Sequence, residues 1–153
     1  MIRWVTPAEG AAPLARIQYL AVRTGPSLYS QAQQRAWVDA PAAPDALAER
    51  LQNARVALFR RGAENVGVMT LSPGGLIDMA FVLPAHQRSG VFRALVTAVE
   101  HAARQANEAR LWTFASLMAQ PAFRAAGFSV IHHETVVRSG VTLPRARMEK
   151  GLV

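Results

Sequence analysis

The hexapeptide Gln87-Arg88-Ser89-Gly90-Val91-Phe92 is where the chain's chemistry is easiest to read, because it joins an apolar run, Leu76 to Val82, to a long amphipathic segment. At such a join the first backbone N–H groups of a helix have no intrahelical partner. The aligned peptide dipoles also place roughly half a positive charge there. Together they suit an anion, phosphate above all. Gly90 can adopt positive φ and bring its amides to a ligand with no Cβ in the way, and Arg88 and Arg93 add mobile positive charge. Taken alone, the same hexapeptide also reads as an ordinary capped helix.

The elements that must position this loop follow from periodicity. Ile2 to Val5 reads as a strand, and Ala11 to Val22 as a helix stopped by Gly25-Pro26. A second helix has Ser30 as its N-cap, and a third is capped by Asp45. From Arg55 the period changes to that of strands: residues 55–61 and 66–72 form a hairpin across Gly62 to Asn65. Pro73-Gly74-Gly75 then turns into residues 76–82, giving three consecutive antiparallel strands. A helix from about Ser89 to Gln105 puts Val91, Leu95, Val99, Ala102 and Ala106 on one face. Leu111 to Ala115 reads as a buried strand parallel to 76–82, since a helix connects the two. A short helix over 119–126 ends at Gly127, a strand follows from Phe128 to Val137, and residues 145–150 are read as the last strand.

The chain has 153 residues, the length of one domain, and no cysteine, so disulfides and thiolate chemistry are excluded. It shows no secretory leader pattern and no long uncharged apolar stretch, which suggests the cytoplasm. The formal charge is +7, and Lys150 is the only lysine. Arginine-rich charge suits phosphate or carboxylate partners, whether coenzyme A, a nucleic acid or merely solvent. A basic nucleic-acid-binding module is the least supported class, because the arginines are scattered and no recognition pattern interleaves them. His132 and His133 face opposite sides of a strand, and no metal site is proposed.

The order Gln87-x-x-Gly90-x-Phe92 after an apolar strand resembles motif A of the GNAT superfamily of acyl-CoA-dependent N-acyltransferases, with Phe92 where the family usually has a small residue. The segment from Ala115 to Phe128 is similar to the family's motif B, which ends in Gly-Phe, here Gly127-Phe128. The whole pattern looks most like the bacterial YafP-like branch. The resemblance implies an α/β fold of the α+β type: a mixed, mostly antiparallel sheet of six to seven strands flanked by helices. Strands 76–82 and 111–115 would splay, and residues 1–153 would form one acyltransferase domain. It also implies that the backbone of Ala80, Phe81 and Val82 pairs with pantetheine. Gln87, Arg88, Ser89, Gly90, Val91 and Phe92 would take the pyrophosphate, and Ser116 and Phe123 would lie against the cofactor.

The implied activity is transfer of an acetyl group from acetyl-CoA to a primary amine of a small molecule or protein, by direct attack in a ternary complex. Deprotonating a lysine-like amine at pH 7 costs roughly 4–5 kcal/mol, so a base is expected, and Asp78 is the candidate carboxylate; a salt-bridged strand residue is its other reading. Ser116 could reach the cofactor's sulfur, or it could simply cap the helix that follows. Where many relatives place a Tyr that can return a proton, this chain has Phe123. Tyr29 and Trp37 are the candidates for lining the acceptor pocket, although both residue types are common in cores. A non-catalytic acyl-CoA sensor is the alternative, and the C-terminal strands offer a surface for a homodimer.

Overall fold

The structure, a computed structural model, describes residues 1–153. Strand β1 (Ile2–Val5) leads into helix α1 (Pro7–Thr24), which begins before the expected Ala11. Its start is set by a capping box, in which the Thr6 hydroxyl accepts from the Glu9 N–H and the Glu9 carboxylate accepts from the Thr6 N–H, with Pro7 in the first turn. Helix α2 (Gln31–Trp37) has Ser30 as N-cap, as expected, and Gln33 closes the box. Helix α3 (Pro44–Arg50) corrects the expected Asp45 cap. Its N-cap is Ala43, and the preset φ of Pro44 starts the helix, leaving Asp45 in the first turn.

The expected α+β fold is present, its strands, six to seven expected and eight found, being divided between two sheets of four. In the first, β1 pairs with β2 (Arg55–Arg61), β2 with β3 (Glu64–Leu71) and β3 with β5 (Ala80–Val82), all antiparallel. In the second the order is β4 (Leu76–Ile77), β6 (Arg110–Ser116), β8 (Val141–Gly151) and β7 (Ser129–Arg138). Strand β6 is parallel to β4, as the intervening helix α4 (Val91–Gln105) requires. Strand β8 is longer than the expected 145–150. Helix α5 (Gln120–Ala125) lies between β6 and β7.

The apolar run 76–82 is therefore one stretch of sequence shared by two sheets. Ile77 stays with the second sheet, its carbonyl accepting from the Thr113 hydroxyl at 2.8 Å. Met79 belongs to the first: its carbonyl accepts from the Thr70 N–H at 2.9 Å, and its N–H donates to the Thr70 hydroxyl at 3.0 Å. Between these two anchors Asp78 marks the point where the sheets part.

Val91, Leu95, Val99 and Ala102 are buried beneath α4, whereas Ala106 lies past the helix end and is exposed. The helix sits on β3 at Gly67, where an added Cβ would stand 2.6 Å from Val91 Cγ1 and 3.1 Å from Leu95 Cδ1. Gly67→Ala is accordingly expected to cost about 1–3 kcal/mol, as an overpacked core site does. Urea denaturation checks this, and an unchanged midpoint would mean that α4 can shift at no cost. No helix is long and apolar enough to cross a membrane.

Candidate functional site

The loop before α4 is shaped by two left-handed residues, Arg88 (φ 59°) and Gly90 (φ 89°). The first backbone hydrogen bond of the helix is donated by Ala94 to the Gly90 carbonyl, at 3.0 Å. The N–H groups of Arg88, Ser89, Gly90, Val91, Phe92 and Arg93 meet no acceptor within the chain, and nothing lies within 4 Å of a Cβ built on Gly90. The side chains of Arg88 and Arg93 form no ion pair. An array of unpaired amides at a helix N-terminus, beside free guanidinium groups, has the charge and donors that suit an anion.

Arg61, at the end of β2, holds this loop open. Its guanidinium donates to the Ser89 hydroxyl at 2.8 Å and to the Ser89 carbonyl at 2.9 Å. The Ser89 hydroxyl in turn donates to the His86 carbonyl. With its oxygens turned back onto Arg61 and His86, Ser89 is a positioning residue for the amides around it. Under the acetyl-CoA-dependent activity that the resemblance implies, Arg61→Ala is expected to raise the KM for acetyl-CoA about tenfold with a smaller effect on kcat, and Arg61→Lys to recover part of the loss. Steady-state kinetics checks the split; an equal change in both variants would mean that the loop holds its shape unaided.

Beside the loop the two sheets diverge. Strand β4 pairs with β6 only at Leu76↔Trp112 and Ile77↔Thr113, after which β6 continues with β8 alone and β5 with β3 alone. Alternation along the strand turns the N–H and C=O of Phe81 toward Val68, and those of Ala80 and Val82 into the gap. The expectation of backbone contacts from all three residues is thus corrected to Ala80 and Val82. The Val82 carbonyl already accepts from the Gln87 side-chain amide at 3.1 Å.

A cavity of about 170 Å³ opens beside the divergence and brings together Tyr29, Trp37, Asp78, Phe81 and Ser116. Its aromatic wall is continuous: Tyr29 and Trp37 meet edge to face at 5.8 Å between centroids, and Trp37 and Phe81 at 5.9 Å. Both carboxylate oxygens of Asp78 accept from Arg50 Nη2 at 3.1 Å. The Ser116 hydroxyl accepts from the Ala119 N–H at 3.2 Å, so it caps the following turn while lining the cavity. The Tyr29 hydroxyl donates to the Pro144 carbonyl at 2.6 Å and accepts from the Leu117 N–H at 3.0 Å. Burial pushes the Tyr29 hydroxyl above its ordinary pKa, outweighing the opposing Leu117 hydrogen bond and the charge of Arg145. It is a weaker acid than free tyrosine, and its proton is already engaged.

Phe123 lies apart from this cavity. It is 1% exposed, in the core, with its ring edge to face against Phe92 and Phe128 at 4.9 and 5.0 Å. The expected contact of Phe123 with a cofactor is corrected accordingly, because three aromatic rings close over one another there. The Phe92 ring is turned onto this cluster while its N–H stays free. Arg61 and Arg50 went unnoticed in the sequence: each lies 28 residues from its partner, and neither stands in a motif.

The description "Acetyltransferase (GNAT) domain" belongs to the family model that matches residues 27–150. No curated protein sequence matches the chain. A GCN5-related N-acetyltransferase from Rhodopseudomonas palustris is 27% identical with a TM-score of 0.88, the match covering 99% of this chain and 94% of that one. A ribosomal-protein-alanine N-acetyltransferase from Brucella melitensis is 20% identical with a TM-score of 0.75, covering 99% of both chains. The yncA structure from Salmonella typhimurium, solved with its cofactor acetyl-CoA, is 19% identical with a TM-score of 0.72, covering 100% of this chain and 94% of that one. The chain matches the family model over most of its length, and it belongs to the GNAT acetyltransferases.

Proposed function

We propose that this chain is an acetyl-CoA-dependent N-acetyltransferase acting on a primary amine in a ternary complex. The observation that carries the reading is the row of six N–H groups, from Arg88 to Arg93, left without acceptors beside a gap whose facing strand edges are unpaired. These groups fit the two ends of coenzyme A: the amides suit its diphosphate, and the edges at Ala80 and Val82 suit the amides of its pantetheine arm. When bound, the thioester supplies an acetyl group open to attack by an amine.

The chain's own residues divide the rest of the work. Arg61 and Ser89 hold the amides outward, and Arg88 and Arg93 add charge. Asp78, at the divergence, receives the proton of the attacking amine directly or through one water. Ser116 lines the same space with a hydroxyl proton that has no partner in the chain, and Tyr29 and Trp37 wall the acceptor side. With Phe123 unable to donate a proton and the Tyr29 proton engaged, the leaving thiolate is protonated by solvent. Within the family, Gln87-x-x-Gly90-Val91 and Gly127-Phe128 support placement in the YafP-like branch.

The test has two stages. Acetyl-CoA at a hundred times its dissociation constant is expected to stabilise the fold by about 2.7 kcal/mol, read as a rise in the unfolding midpoint. Thiol release across a panel of amines, with product mass, then tests transfer. No stabilisation at millimolar acetyl-CoA would sink the reading. Stabilisation without turnover on any amine would favour a second reading, a non-catalytic acyl-CoA sensor, which the aromatic closure around Phe123 already supports.

A further inference from the structure

Three guanidinium groups line the cavity beside the divergence, and their pairing differs. Arg50 is committed to Asp78 through both carboxylate oxygens at 3.1 Å. Arg145 is committed to Glu134, with Nε at 2.7 Å and Nη2 at 2.6 Å, and its guanidinium lies 4.1 Å from the centroid of Phe114. Arg138, at the end of β7, lines the same cavity and meets no carboxylate, no backbone acceptor and no aromatic ring. Asp78 is the only carboxylate in the lining, so the cavity carries one positive charge that nothing in the protein answers.

From this we infer that the acceptor is an amine carrying an anionic group, a carboxylate above all, on a compact apolar or aromatic body. Arg138 takes the anion and the Tyr29-Trp37-Phe81 wall takes the body. The inference rests on the transferase reading above and narrows it. Polyamines and lysine-rich peptides are disfavoured, since an added cation would enter a cavity whose surplus charge is already positive. A planar, always-charged guanidinium with its donors free recognises a carboxylate in bidentate fashion. The apolar wall sets the other half of the preference: a bare short amino acid leaves the aromatic faces wet, and an uncharged aromatic amine leaves Arg138 unanswered.

The experiment pairs a binding arm with a turnover arm. In the binding arm, 3-phenylpropanoate and its neutral amide are titrated calorimetrically into the wild-type protein, Arg138→Ala and Arg138→Lys. The acid is expected to bind wild type at least tenfold tighter than the amide. That ratio should fall to near one in Arg138→Ala and recover in part in Arg138→Lys. In the turnover arm, acetyl transfer to L-phenylalanine is compared with transfer to 2-phenylethylamine, and kcat/KM is expected to favour the carboxylate-bearing amine at least tenfold. Equal affinity for acid and amide, or a ratio untouched in Arg138→Ala, overturns the inference. Transfer to both amines without preference does the same while leaving the acetyltransferase reading intact. Arg138-dependent binding of the acid with no transfer to any amine strikes the transferase reading and leaves the anion site standing. Because Arg138 is exposed at a strand end, both variants should fold, and their unfolding midpoints confirm it.

Discussion

Asp78→Asn is expected to lower kcat/KM for acetyl transfer at least a hundredfold while changing stability by no more than about 1 kcal/mol. A positioned general base contributes roughly 10²–10⁴ in rate, and asparagine keeps the size of the side chain but cannot take a proton. The stability term is small because the partner is a surface one: the side chains of Arg50 and Asp78 are 56% and 29% exposed, and exposed pairs contribute about 0–1 kcal/mol. The asymmetry separates the two roles that a carboxylate at this position can have. If Asp78 only anchors Arg50 at the edge of the cavity, the rate loss stays within about tenfold and follows stability. A rate within tenfold of wild type would transfer the role to ordered water.

Gly75→Ala should be among the most damaging single changes to the fold, at about 3–5 kcal/mol. Gly75 has a φ of +85°, where any L side chain is strained, and its added Cβ would stand 1.9 Å from the backbone oxygen of Arg110. The strain costs about 1–3 kcal/mol, and relieving a clash with a backbone atom costs as much again. Gly75 also sits at the seam that sets the register of the divergence. Its carbonyl accepts from the Trp112 N–H at 3.0 Å, one residue before β4 takes up its pairing with β6. With a shift of 2–4 °C per kcal/mol for a chain of this size, the midpoint should fall by about 10 °C. Gly74→Ala is the control. At φ +89° with nothing within 4 Å of its Cβ, it bears the backbone strain alone, so a similar loss in both variants would show that the clash is relieved by a small movement.

The two predictions meet at the same place in the fold. Asp78 is the residue at which the chain leaves one sheet for the other, and Gly75 sets the position from which it leaves. Under the proposed function, a loss of register at Gly75 is therefore also expected to weaken acetyl-CoA binding, although neither residue belongs to the loop of unpaired amides.

Much of this arrangement could be read directly from residue order. Ser30 as a cap, the hairpin around Gly62, the long helix after Gly90, the parallel placement of β6 and the turn at Gly127 all follow from signals that act over a few residues, where backbone geometry and periodicity decide the outcome. The loop of free amides was legible for the same reason, since unpaired amides at a helix start are a property of the helix itself. Three features escaped this reading: the division of residues 76–82 between two sheets, the burial of Phe123 among aromatic rings, and the pairing state of each arginine. An apolar run looks the same whichever edge it leaves unpaired, and a buried phenylalanine looks the same whether a ligand or another ring covers it. Arg50, Arg61, Arg138 and Arg145 are the same residue type in an arginine-rich chain. Only folding brings Asp78, Ser89 and Glu134 to three of them and nothing to the fourth, because ion pairs and hydrogen bonds act over a few ångströms of space and owe nothing to distance along the chain.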